Sequence, residues 1–166
     1  MEYVLETESL CKRYGKTRVL QDIDLKIPKG SIYGLVGKNG AGKTTLMRVI
    51  TGLQAPTSGT YTLSGVKNTD RKIATVRRRM GALVETPGLY KNLSAYDNLK
   101  LQYINLGLTS YESIPELLKL VGLGDTGKKK AGKFSLGMRQ RLGIALALCG
   151  EPDILKYSCL SVSLAK

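Results

Sequence analysis

Gly37-Lys38-Asn39-Gly40-Ala41-Gly42-Lys43-Thr44, with Thr45 following, matches G-x-x-x-x-G-K-[ST] at every specified position. The flanks fit the same reading. Ser31-Ile32-Tyr33-Gly34-Leu35-Val36 is short and apolar enough for a buried strand, and Thr45-Leu46-Met47-Arg48-Val49-Ile50 reads as the first turns of a helix. Strand, glycine-rich loop and helix together make a cradle for phosphates. Gly37, Gly40 and Gly42 supply backbone conformations and clearance, successive N–H groups turn inward, and the positive helix end adds attraction. Lys43 is placed to reach terminal phosphates, and the Thr44 hydroxyl to ligate Mg²⁺. A glycine-rich turn that matches by chance is the competing reading, and the strand–loop–helix setting argues against it. The stretch predicts a nucleoside triphosphate as ligand.

Working outward, 166 residues allow one domain with enough chain for a real core. No apolar run approaches the roughly 18 residues of a membrane span. The start, Met1-Glu2-Tyr3-Val4-Leu5-Glu6, lacks the basic flank of a signal peptide. Cys11, Cys149 and Cys159 are odd in number and irregularly spaced, so neither a disulfide framework nor a zinc site is indicated, and a reducing cytoplasm suits them. The formal charge of +13 is large, with basic clusters at Arg77-Arg78-Arg79 and Lys128-Lys129-Lys130. A nucleic acid or an anionic membrane surface is one reading of it, and a solvated face is the other. The absence of an aromatic-rich or helix-turn-helix signal favours the solvated face, so no specific nucleic acid is expected.

The strands and helices read along the chain suit an α/β class. Residues 3–10 read as an edge strand ending in a turn at Lys12-Arg13-Tyr14-Gly15. Val19, Gln21, Ile23, Leu25 and Ile27 alternate with polar residues as a half-buried strand does, and Pro28-Lys29-Gly30 turns the chain. The helix after Thr44 should stop at Gly52, with a loop over 55–59, a short strand over 61–63 and a turn at Ser64-Gly65. The pattern then predicts a helix over 71–79, a strand over 80–84, and helices from Ser94 to about 106 and over 111–121. A basic, glycine-rich loop over 122–133 leads to a strongly apolar last helix over 136–149.

Three further constellations make the chain resemble the ATP-binding subunit of an ABC transporter, over about residues 3–155. Leu10-Cys11-Lys12-Arg13-Tyr14-Gly15 is similar to the segment whose aromatic ring stacks on adenine, which gives Tyr14 that role; a tyrosine packed on a surface turn is the alternative. Phe134-Ser135-Leu136-Gly137-Met138-Arg139-Gln140-Arg141 resembles the signature motif usually written Leu-Ser-Gly-Gly-Gln. Leu136 replaces its first glycine and Met138 its glutamine, while Ser135 and Gly137 are kept. In the family this motif opens a helix and acts on the nucleotide held by the other subunit of a homodimer, an ATP sandwich. Ser135 is equally good chemistry for a plain helix cap, and can be both. Glu85 stands where the family's switch loop carries a glutamine beside Mg²⁺, so it joins Thr44 as a candidate metal ligand. Glu85 and the Phe-Ser-Leu-Gly-Met wording look like the bacitracin and lantibiotic export or immunity branch.

The resemblance implies a P-loop NTPase fold: an ABC ATPase core sheet, an antiparallel β N-terminal part and a helical subdomain over about 90–135. It implies ATP and Mg²⁺ as cofactors and a membrane permease on a separate chain as partner. It also implies a place on the cytoplasmic face of the membrane. After Gly150-Glu151-Pro152-Asp153-Ile154-Leu155 the family continues into an apolar strand, then a metal-binding aspartate and a water-polarising glutamate. Here Lys156 follows, no acidic residue occurs after Asp153, and the chain has no histidine. The expectation is a domain over 1–155 with its C-terminal part missing, an out-of-frame tail over 156–166, and no assignable catalytic residue. Hydrolysis should then be impaired. A nucleotide-binding remnant and, less favoured, a basic nucleic-acid-associated protein stand as alternatives.

Overall fold

In the computed structural model, residues 2–83 and 87–157 are described. They belong to two compact units, Met1–Arg78 and Arg79–Lys166.

The first unit is built on β1 (Tyr3–Tyr14) and β2 (Thr17–Pro28), an antiparallel hairpin closed by Gly15-Lys16 with Gly15 at φ 56°. Lys12, Arg13 and Tyr14, predicted as turn, lie in the strand, because only the glycine needs the left-handed backbone. β1 is not an edge strand either. β3 (Ser58–Leu63) returns antiparallel to its other side, pairing Leu63 with Leu5 and Tyr61 with Thr7, and β4 (Val66–Lys67) completes the order β2-β1-β3-β4. Both flanks of β1 are thus hydrogen-bonded, and Leu5, Thr7 and Leu10 are buried.

The alternation in β2 holds for Ile23, Leu25 and Ile27 but breaks below them: Leu20 is buried and Gln21 exposed. Between the pairs Leu10–Ile23 and Lys12–Leu20, β2 advances three residues against two in β1, with Asp22 at φ 45°. That extra residue is a β-bulge, and it moves the buried phase by one position. The helix after the glycine-rich loop is α1 (Lys43–Ile50), and it stops before Gly52 at φ 79°, as the sequence predicts. α2 (Ile73–Arg78) closes the unit.

Residues 31–36 depart from prediction. They form no strand, and Ile32 and Val36 are 103% and 94% exposed. An apolar run of this kind is buried only when neighbouring strands take up its backbone and layers cover both faces. No described strand pairs with it.

In the second unit β5 (Met80–Leu83) and β6 (Ile154–Tyr157) pair in parallel. β6 therefore takes in Lys156 and Tyr157, the first residues of the predicted tail; residues 158–166 lie outside the described ones. Gly81 lets β5 lie against α5 (Leu136–Leu148), since a Cβ there would strike the Ala147 carbonyl. α3 (Ala95–Asn105) and α4 (Ile114–Leu120) pack with α5 around Leu99, Tyr103, Ile114, Leu118 and Leu142. α4 begins later than predicted. Tyr111 precedes it and sets its ring 6.3 Å from that of Tyr103. The basic loop is held at Leu123 and Ala131, both buried, and contains two short 3₁₀ turns, Gly124–Thr126 and Ala131–Lys133.

Candidate functional site

The glycine-rich loop owes its shape to three glycines with unlike duties. Gly42 caps α1 from the left-handed region at φ 85°, and a Cβ there would lie 2.7 Å from the Val19 carbonyl and 2.9 Å from Leu20. Gly40 also needs positive φ, 82°, but has open space around it. Gly37 needs neither: its φ is not positive, and a Cβ would make ordinary contact with Ala41 at 3.4 Å. The predicted conformational and steric demand thus falls on Gly40 and Gly42. Gly37 leaves room only toward whatever enters the loop.

Ala41 N–H donates to the Lys38 carbonyl at 3.1 Å, and Leu46 N–H to the Gly42 carbonyl at 2.8 Å. Leu46 is the first residue of α1 to reach a carbonyl one turn back, so the N–H groups of Lys43, Thr44 and Thr45 precede the helical ladder. Gly42 has no side chain with which to cap them, and the first turn holds no acidic residue. The Lys43 ammonium lies across the loop, donating to the Gly37 and Lys38 carbonyls, the latter at 2.8 Å. Lys38, Asn39 and Ala41 are exposed. A row of free N–H donors, a positive helix end and a lysine over one concave backbone suit a phosphate chain.

Magnesium is a different case. Among the described residues no group of three or more Asp, Glu, His or Cys could hold a metal. The half-buried Thr44 hydroxyl is the available protein oxygen, which fits an ion carried mainly by phosphates and water. Glu85, the other predicted ligand, lies outside the described residues.

Tyr14 ends β1 at the tip of the hairpin whose second strand abuts Gly42 through Val19. Loop and tyrosine therefore share one end of the first unit. The Tyr14 hydroxyl donates to the Gln54 side-chain carbonyl, just beyond α1, and the Lys12 ammonium lies 5.3 Å above the ring. Tyr14 is 43% exposed, which leaves surface for stacking. Nothing in the sequence pointed to Gln54 or Lys12 as its supports.

In the second unit Ser135 caps α5, its hydroxyl accepting the Met138 N–H at 3.2 Å. Leu136 is 57% exposed, Gly137 has open space around it, and Met138 packs on the helical core. The predicted signature residues thus present an exposed helix start at Ser135, Leu136 and Gly137, with Met138 as the anchor. Lys156 of β6 was not foreseen as unusual beyond its break in pattern. Its ammonium is buried without a hydrogen-bond partner among the described residues, and burial pulls its pKa down to about 7.

A glycine-capped helix start behind an invaginated loop with an internal lysine defines a P-loop nucleotide-binding protein. The family described as ABC transporter matches residues 20–156, and the chain belongs to it. It is 47% identical over 155 residues to the bacitracin transport ATP-binding protein BcrA of Enterococcus faecalis, covering 93% of this chain and 50% of that protein. It is 45% identical over 152 residues to the lantibiotic transport ATP-binding protein SrtF of Streptococcus pyogenes, covering 92% and 64% respectively. A solved ATP-binding subunit of an ABC transporter superposes with a TM-score of 0.79 at 32% identity, over 92% of this chain and 64% of that one. The chain thus spans between half and two thirds of the length of these three proteins. The predicted antiparallel N-terminal part and helical elements are those of this fold.

Proposed function

We propose that this chain is the ATP-binding subunit of an ABC transporter that exports, or confers immunity to, a peptide antibiotic. The observation that carries the reading is the start of α1: Gly42 leaves its N–H groups uncapped while Lys43 lies inside the loop. The names of the relatives, bacitracin and lantibiotic transport, support the substrate class. In this reading residues 37–45 hold the phosphates, Tyr14 stacks on adenine, and Thr44 and Glu85 are the residues that would serve the magnesium ion. Bound magnesium neutralises charge on the phosphate oxygens. Ser135, Leu136, Gly137 and Met138 act on the nucleotide of a second copy, so the working form is a homodimer closed around ATP. Residues 90–135 form the helical subdomain. The permease is a separate chain, and the subunit sits against it on the cytoplasmic face of the membrane.

Turnover by these 166 residues is slow in this reading. The strand position where the family pattern is apolar is taken by Lys156 in β6, and residues 154–166 hold no carboxylate to polarise an attacking water. A thermal melt with and without Mg-ATP tests the binding step. At a hundredfold excess over Kd, ATP should add about 2.7 kcal/mol of stability, and Lys43→Ala should erase most of it. No shift for the parent chain would sink the nucleotide assignment. Phosphate release well above the Lys43→Ala background would sink the claim of slow turnover while leaving binding intact.

A further inference from the structure

The lysine cluster at Lys128, Lys129 and Lys130 is enlarged by the fold. Ala131 N–H donates to the Leu93 carbonyl at 2.8 Å and Gly132 N–H to the Lys91 carbonyl at 2.9 Å, with an antiparallel bridge between Ser94 and Lys130. These bonds lay residues 130–132 alongside 91–94 and bring Lys91 and Lys133 into the group. All five lysines are exposed. Their platform is firm, because Ala131 and Phe134 between them are buried in the helical core.

The charge is nearly uncompensated. The two segments, 87–100 and 122–135, carry only Asp97 and Asp125 as acids, and the Asp97 carboxylate already accepts the Ser94 hydroxyl at 2.6 Å. None of the five ammoniums has an ion pair among the described residues. Lys129 rests 5.9 Å above the Phe134 ring, its charge still open to solvent. Two exposed aromatic side chains belong to the segment that carries Lys91: Tyr90 is 58% exposed and Tyr96 37%.

We propose that this lysine–tyrosine surface docks on an anionic membrane through lipid phosphate headgroups. Ammonium groups are point charges suited to a diffuse layer of phosphates, and no arginine within the two segments offers the planar fork that favours specific phosphate or base recognition. Tyrosine, apolar in its ring and polar at its tip, is at home at the headgroup level. The contact does not depend on nucleotide, and it adds direct lipid binding to the permease-mediated location proposed above.

Co-sedimentation of the purified chain with vesicles tests it, comparing phosphatidylcholine alone with a mixture containing about a third phosphatidylglycerol. Binding should require the anionic lipid. Each lysine at such a surface contributes about fivefold, so joint Lys128→Gln, Lys129→Gln and Lys130→Gln should weaken partition about a hundredfold. The same charge removed elsewhere, at Lys16, Lys26 and Lys72, should change it less than threefold. Arginine at positions 128–130 should keep binding, and Lys43→Ala should leave it unchanged, which separates this result from any failure to bind ATP. If the glutamine variant proves unfolded, the arginine variant and the loss of binding of the parent chain between 50 and 500 mM salt carry the test. Equal loss in both lysine triples, no preference for anionic vesicles, or tighter binding to duplex DNA at matched phosphate would each overturn the proposal.

Discussion

Replacing Lys156 with methionine isolates one buried charge. Lys156 pairs with Ala82 in the β5–β6 ladder, its ammonium has no partner among the described residues, and desolvation lowers its pKa from 10.5 to about 7. At about 1.36 kcal/mol per pKa unit, that displacement caps the penalty at about 4 to 5 kcal/mol. The sign follows from proton binding. The folded value lies below the unfolded one, so between about 7 and 10.5 the unfolded chain holds the extra proton and stability rises with pH. Below that window the full penalty stands; above it none remains. Because β6 is only four residues long, the chain can relieve part of the cost by freeing its end, and we expect about half the ceiling. Methionine keeps an unbranched side chain and removes the charge. It should raise the melting temperature by about 4 to 8 °C at pH 6 and by much less near pH 10. Melts of both chains by circular dichroism across pH 6–10.5 give the comparison. A difference that stays constant with pH would refute the reasoning, since packing alone does not titrate.

The two positive-φ glycines of the loop should separate in a urea titration. Gly40→Ala meets open space and should cost about 1 kcal/mol for the backbone alone, whereas Gly42→Ala also meets the Val19 carbonyl and should cost at least twice that and abolish the response to Mg-ATP. Cys149 is buried and its thiol is pushed up to about 12 by desolvation, so iodoacetamide at pH 8 should label it only in denaturant. A mass spectrum showing rapid native labelling at that position would contradict the burial. Ser135→Ala should lower stability by about 1 kcal/mol through the lost cap on α5, while Ser135→Asp should restore the cap and still block nucleotide-dependent dimerisation, read by light scattering. Dimerisation of the aspartate variant at parental ATP concentrations would remove Ser135 from the nucleotide contact.

What was legible in the sequence had a local cause. The positive-φ glycines at 40 and 42, the stop at Gly52 and the helix start at Ser94 are fixed by residues within a turn of one another, and they appear as expected. Ser94 even receives the Asp97 N–H at 3.1 Å, as a capping serine should. The misses depend on distant partners. Residues 31–36 have the composition of a buried strand, but composition does not supply the neighbouring backbone. The interior place of β1 is set by β3, whose strand begins more than forty residues after β1 ends. The phase slip in β2 comes from a bulge at Asp22, where alternation alone favours Gln21 over Leu20 as the inward residue. The pairing of residues 91–94 with 130–132 could not be read from either segment by itself.

The helix starts carry the functional argument further than the motifs do. α3 and α5 begin at serines that satisfy a first-turn N–H with their own hydroxyls, at 3.1 and 3.2 Å. α1 begins at a glycine that satisfies none. All three starts have the same positive end, yet only α1 leaves its backbone donors to an external acceptor. For α5 the accounting differs without excluding a ligand. A hydroxyl accepts with its lone pairs and donates through its hydrogen, so Ser135 can hold the Met138 N–H and still give a hydrogen bond outward. The phosphate loop thus offers backbone donors that capping would destroy, and the signature serine offers a side-chain donor that capping orients. A glycine at one helix start and a serine at the other are the residue types those two tasks require.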